Sequence, residues 1–84
     1  MKRNEIIKYF KEKYEIKITI HYNGWTVHEL EQTRWWVVDI PCTNSYDNTE
    51  EKWSIPVYSL EEAWNETENF IKLNYDHNKK ICII

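Results

Sequence analysis

The sequence predicts an α+β fold, a small antiparallel three- to four-stranded sheet with two helices on one face, in the order α-β-β-β-α with a final β at the end of the chain. Three observations predict it. Asn4–Tyr14 and Ser59–Tyr75 space their apolar residues at the helical period, several stretches between them alternate at the strand period, and Asn23-Gly24 marks a tight hairpin turn. The chain is organised around Arg34 to Pro41, whose two alternating faces are both apolar. Trp36, Val38 and Ile40 fall on one face and Trp35 and Val37 on the other, which is the pattern of a central strand. At 84 residues the chain, 1–84, makes a single domain. A domain of this size buries only about 60% of its unfolded surface, so its core needs large side chains. Five Trp, six Tyr and two Phe meet that need.

In the first helix, Asn4 can act as N-cap, with Ile6, Ile7, Phe10 and Tyr14 on one face and Lys8, Lys11 and Glu12 on the other. Ile16, Ile18, Ile20 and Tyr22 then alternate with Lys17, Thr19 and His21, as in a half-buried strand. Asn-Gly tolerates the positive φ that a type I′ turn requires. A hairpin there sets Tyr22 opposite Trp25, Ile20 opposite Val27, His21 opposite Thr26 and Thr19 opposite His28. The capping-box spacing of Thr26 and Glu29 allows a helical turn over 26–32 instead.

A loop around Glu31 to Thr33 leads into the central strand, which Pro41 is expected to end. Cys42 to Glu51 is polar and reads as an exposed connection. Trp53, Ile55 and Val57 alternate in a third strand, and Pro56, with no N–H to donate, assigns that strand to an edge or a bulge. Ser59-Leu60-Glu61-Glu62 has capping-box spacing for the second helix. Leu60, Ala63, Trp64, Thr67, Phe70 and Ile71 face inward there, and Glu61, Glu62, Glu66 and Glu68 face outward. Asp76-His77-Asn78 reads as a turn. Lys80 to Ile84 is too apolar for a free tail and either adds a strand or packs under a helix.

The net charge of -3 argues against a generic nucleic-acid binder. The charge is also polarised: residues 1–17 hold six Lys/Arg and three Glu, residues 47–68 seven Asp/Glu and one Lys. Cys42 and Cys82 stand alone, without zinc-ligand spacing, and a disulfide between them is left open. His21 and His28 suggest a metal pair only if Asp39 or Glu29 joins them, so no metal site and no cofactor are expected. One glycine rules out a glycine-rich phosphate loop, there is no G-x-S-x-G, and no catalytic residue is assigned. With no secretory or membrane-spanning run, a cytoplasmic location is expected.

The order α-β-β-β-α is similar to that of a double-stranded-RNA-binding domain, although Glu61 and Glu62 stand where that family places lysines at the start of its last helix. Trp36 to Cys42 followed by Ser59 to Ala63 resembles the strand and helix entry of HicB-type antitoxins. The expected function is a small non-enzymatic protein-binding module. Such a module would be an inhibitor, antitoxin, immunity or phage counter-defence protein presenting Trp35, Trp36, Trp53, Glu61, Glu62, Glu66 and Glu68 to a basic protein partner, itself a candidate nucleic-acid-binding protein. The alternatives are a homodimer joined through a Trp-rich open sheet face and, behind it, a single-stranded nucleic-acid binder.

Overall fold

The computed structural model describes residues 1–23 and 36–84. The elements are α1 (Arg3–Tyr14), β1 (Thr19–Tyr22), β2 (Trp36–Thr43), β3 (Glu50–Val57), α2 (Leu60–Asn74), β4 (Tyr75–Asp76) and β5 (Ile81–Ile83). The Asn23-Gly24 hairpin with its pairings to Trp25, Val27, Thr26 and His28, the Thr26–Glu29 alternative, and Trp35 lie outside the described residues. No helix among those described is long and apolar enough to cross a membrane.

β2 is the centre of a five-stranded sheet. β3 pairs antiparallel with its whole length, Trp36↔Val57 through Thr43↔Glu50. Its other edge is shared: β1 pairs antiparallel at Trp36–Asp39 and β5 pairs parallel at Cys42 and Thr43. β4 pairs antiparallel with β5. The sheet is therefore mixed and larger than the antiparallel three or four strands expected. The turn at Asp76–Lys80 folds β5 back on β4, and this return sets β5 parallel to β2.

Two prolines lie inside these strands, for one reason. The Asn44 N–H donates to the Thr49 carbonyl at 2.9 Å, whereas the Thr43 carbonyl accepts from the Ile84 N–H at 2.9 Å on the opposite edge. Even-numbered residues of β2 thus bond to β3, and odd-numbered ones bond to the β1/β5 edge. Pro41 points its missing donor into the gap between Asp39, where β1 stops, and Cys42, where β5 begins. The strand therefore runs through Pro41 to Thr43, two residues beyond the expected end. In β3 the odd residues face β2, so Pro56 turns its ring nitrogen to the outer edge, as the edge assignment requires.

Ile6, Phe10 and Tyr14 of α1 and Ala63 and Ile71 of α2 share one buried cluster with Ile16, Ile18, Ile20, Val38, Ile40, Cys42, Val57 and Cys82. Each large aliphatic or aromatic side chain so buried contributes about 1.5–3 kcal/mol. α1 starts one residue before the expected cap. Asn4 lies within the first turn, and the N-terminal bond is instead Lys2 N–H to Glu5 Oε1 at 3.0 Å. α1 stops where Glu15 enters the left-handed region at φ 59°, where its carboxylate meets Lys80 at 2.6 Å.

Cys42 and Cys82 are direct neighbours across β2 and β5, both buried and both free thiols. Burial pushes the Cys82 thiol up to about 12 and raises that of Cys42 as well.

Candidate partner-binding surface

α2 carries most of the predicted surface. Its start is fixed by Ser59, whose Oγ accepts from the Glu62 N–H at 3.1 Å, while Glu62 reaches back to the Tyr58 N–H at 3.4 Å. Acidic Glu61 and Glu62 in the first turn also suit the positive end of the helix dipole. At 100° per residue, the buried line Ala63–Thr67–Ile71 separates two flanks. Trp64 and Glu68 flank the α1 side, whereas Glu62, Glu66, Phe70 and Leu73 flank the β3 side.

On the β3 side, Trp53 stacks on Phe70 with centroids 5.4 Å apart and planes 13° from parallel. Trp53 remains 46% exposed and Leu73 84% exposed. Together they form an open apolar strip. Glu62 and Glu66 lie along the same flank of α2, and Glu51, on the same side of β3 as Trp53, is held by the Asn44 Nδ2 donor at 2.5 Å. The strip is therefore edged by carboxylates.

Of the predicted residues, Glu62 and Glu66 share the α2 flank that carries Phe70, on which Trp53 stacks, with exposed Glu61 on the outer face of α2. Trp36 goes elsewhere. It sits half-buried on the core side of β2 against Tyr22, with ring centroids 4.8 Å apart.

Glu68 does not stay outside. Its Oε2 accepts from Tyr9 Oη at 2.6 Å and from Tyr14 Oη at 3.4 Å, and it lies 3.2 Å from Lys13 Nζ. The Tyr9 hydrogen bond, ahead of the ammonium of Lys13, holds this carboxyl below its usual range, against the opposing effect of burial. Glu68 is thus the polar clasp between the helices, next to the Tyr9–Trp64 ring contact at 4.3 Å.

The sheet face away from the helices carries a second constellation. Asp39 projects from the middle of β2 with a side chain only 12% exposed. Ser54 Oγ donates to its Oδ1 at 2.5 Å, His21 Nε2 meets its Oδ2 at 2.8 Å, and Lys52 Nζ lies 3.8 Å away. Burial acts to raise this carboxyl, but the Ser54 and His21 bonds and the Lys52 charge outweigh it and hold it low.

Asp39, His21 and Lys52 line an open depression of about 680 Å³ with Thr19, Pro41, Thr43 and Glu50. Serine, histidine and aspartate are all present, but the serine donates to the carboxylate and not to the imidazole. The bond that activates a nucleophile is therefore not made, and both carboxylate oxygens are engaged in tying β1 and β3 to β2. Asp39 does stand beside His21, as a shared site would need. Among the described residues, however, no three His, Cys, Asp or Glu side chains gather to hold a metal ion.

Fold and surface together define a small α+β domain with a mixed five-stranded sheet and an acid-edged aromatic strip. No family model matches the chain, and no curated protein or solved structure matches it.

Proposed function

We propose that this chain is a small non-enzymatic protein-binding module that presents an acidic and aromatic surface to a basic protein partner. It would act as an inhibitor, antitoxin, immunity or phage counter-defence protein in the cytoplasm. The observation that carries this reading is the strip of exposed Trp53 and Leu73 with half-buried Phe70 between them, on a flank that also carries Glu51, Glu62 and Glu66. Aromatic anchors inside a polar rim are the usual composition of interface centres, and a one-signed rim steers an oppositely charged partner. The homodimer reading drew on Trp35 or Trp36; the Trp36 ring packs against the core, and Trp35 lies outside the described residues.

The test is affinity capture from native lysate with the wild-type chain and a Trp53→Ala, Glu66→Lys variant, read by mass spectrometry. A stoichiometric protein retained by the wild type at low salt, released at high salt and lost with the variant supports the assignment. A bound set that the variant leaves unchanged sinks it.

A further inference from the structure

The outer edge of β3 adjoins the same strip. Its odd-numbered residues bond to β2, so Glu50, Lys52 and Ser54 direct their backbone N–H and C=O groups outward, and no strand among the described residues pairs with them. Six residues, Glu50 to Ile55, precede Pro56, which at about 3.3 Å each gives roughly 20 Å of open ladder, the length of an ordinary strand. Proteins commonly guard such edges with an outward lysine. Here Lys52 leans the other way, across the sheet to Asp39 at 3.8 Å, and Pro56 guards only the far end.

We infer that this edge accepts an added β-strand from an extended, basic and apolar segment of a protein partner, an inference that rests on the protein-binding reading above. Backbone bonds to Lys52 and Ser54 would give affinity. Alternate side chains of the incoming strand would fall on the helix side, its apolar ones against Trp53 and its cations within reach of Glu51 and Glu66. A second copy of this chain fits the edge poorly. Antiparallel pairing about Lys52 opposes Lys52 to Lys52 and joins two chains that each carry a net charge of -3.

The probe is the acetylated, amidated octapeptide Val-Thr-Lys-Thr-Val-Thr-Lys-Thr, one face of which alternates valine and lysine, with the same peptide carrying glutamate in place of lysine as control, added to the full chain while amide hydrogen exchange is followed by NMR. In the free protein the Lys52 and Ser54 amides should exchange at least tenfold faster than those of Trp53 and Ile55. The basic peptide should slow the first two at least tenfold and leave the second two unchanged. Lys52→Pro, which removes an outward donor and no bond to β2, should abolish the effect, whereas Glu51→Gln, Glu66→Gln should weaken binding several-fold in low salt.

If Lys52→Pro does not fold, the alternating exchange pattern in the wild type decides alone. Edge amides already protected in the free monomer overturn the proposal, as does equal binding of the acidic peptide. Protection that appears only with a concentration-dependent dimer would assign the edge to a second copy and also overturn it. Peptide binding that depends on Glu66 without protecting Lys52 and Ser54 would refute strand addition while leaving the protein-binding reading standing. Failure of the peptide to bind refutes the strand addition, and the lysate capture then judges the broader reading by itself.

Discussion

The clasp between the helices makes a quantitative prediction. Tyr9 donates to Glu68 at 2.6 Å, a length typical of a hydroxyl bonded to a carboxylate, and the Glu68 side chain is 19% exposed. A hydrogen bond to a charged group contributes about 1.5–3 kcal/mol net, and partial exposure places this one at the lower end, about 1.5 kcal/mol. For a domain of this length, with an unfolding entropy of about 2.1 cal/mol/K per residue, that corresponds to a melting shift of about 8 °C. The assay is a double-mutant cycle of Tyr9→Phe and Glu68→Gln in urea at pH 7, which isolates the pair from the other groups around Glu68.

The sign of its pH dependence is set by the shift. The Glu68 carboxyl is held below its ordinary value of 4.5, so its contribution is complete above that pH and is lost as the pH falls through the lower folded-state value. The coupling energy should therefore be about 1.5 kcal/mol at pH 7 and should decline as the pH is lowered below 4.5. A coupling below about 0.5 kcal/mol at pH 7, or one that pH does not alter, refutes the reasoning.

Three further outcomes are expected. Thr67 Oγ1 is buried with no hydrogen-bond partner among the described residues, so Thr67→Val should raise stability by about 1 kcal/mol in chemical denaturation, and a loss would show that the hydroxyl is satisfied. Cys42 and Cys82 should resist a thiol reagent such as Ellman's in the native protein at pH 8 and react together only on unfolding; fast labelling of either would contradict their burial. Phe10, fully buried between α1, α2 and the sheet, should cost about 3–5 kcal/mol as Phe10→Ala, close to the whole stability of many domains this small. A cooperative thermal transition by circular dichroism with less than about 2 kcal/mol lost would place the core elsewhere.

Periodicity made the helices, the alternation of Ile16–Ile20 and the edge position of β3 legible, because each depends on local spacing or on one missing donor. The direction of β5 was not legible. Ile81-Cys82-Ile83 carries no polar alternation, and its orientation is decided by the Tyr75–Lys80 turn and by Cys42, far away in sequence. Pro41 misled for a related reason: a proline stops a strand only where a neighbour requires its amide, and the neighbours of β2 are interrupted at that point.

Among the candidate surface residues, Trp53, Glu61, Glu62 and Glu66 could be read from helix phase and strand alternation. Glu68 could not, because it lies at the margin of the outward face, where Tyr9 and Lys13 of the other helix decide its role. The Asp39 tie to His21 and Ser54 left one trace, an acid placed inside an otherwise apolar strand.

Because Cys42 meets Cys82 across 40 residues of sequence, the centre of the sheet is completed by the segment that the ribosome delivers last among those described. While Ile81–Ile83 are still in the exit tunnel, β2 lacks its parallel neighbour and β4 lacks the strand it pairs with, so closure of the sheet waits for that segment to emerge. A chain cut short before Ile81 would leave Cys42 and Tyr75 uncovered, a lesion that a protease could recognise without reading the rest of the molecule.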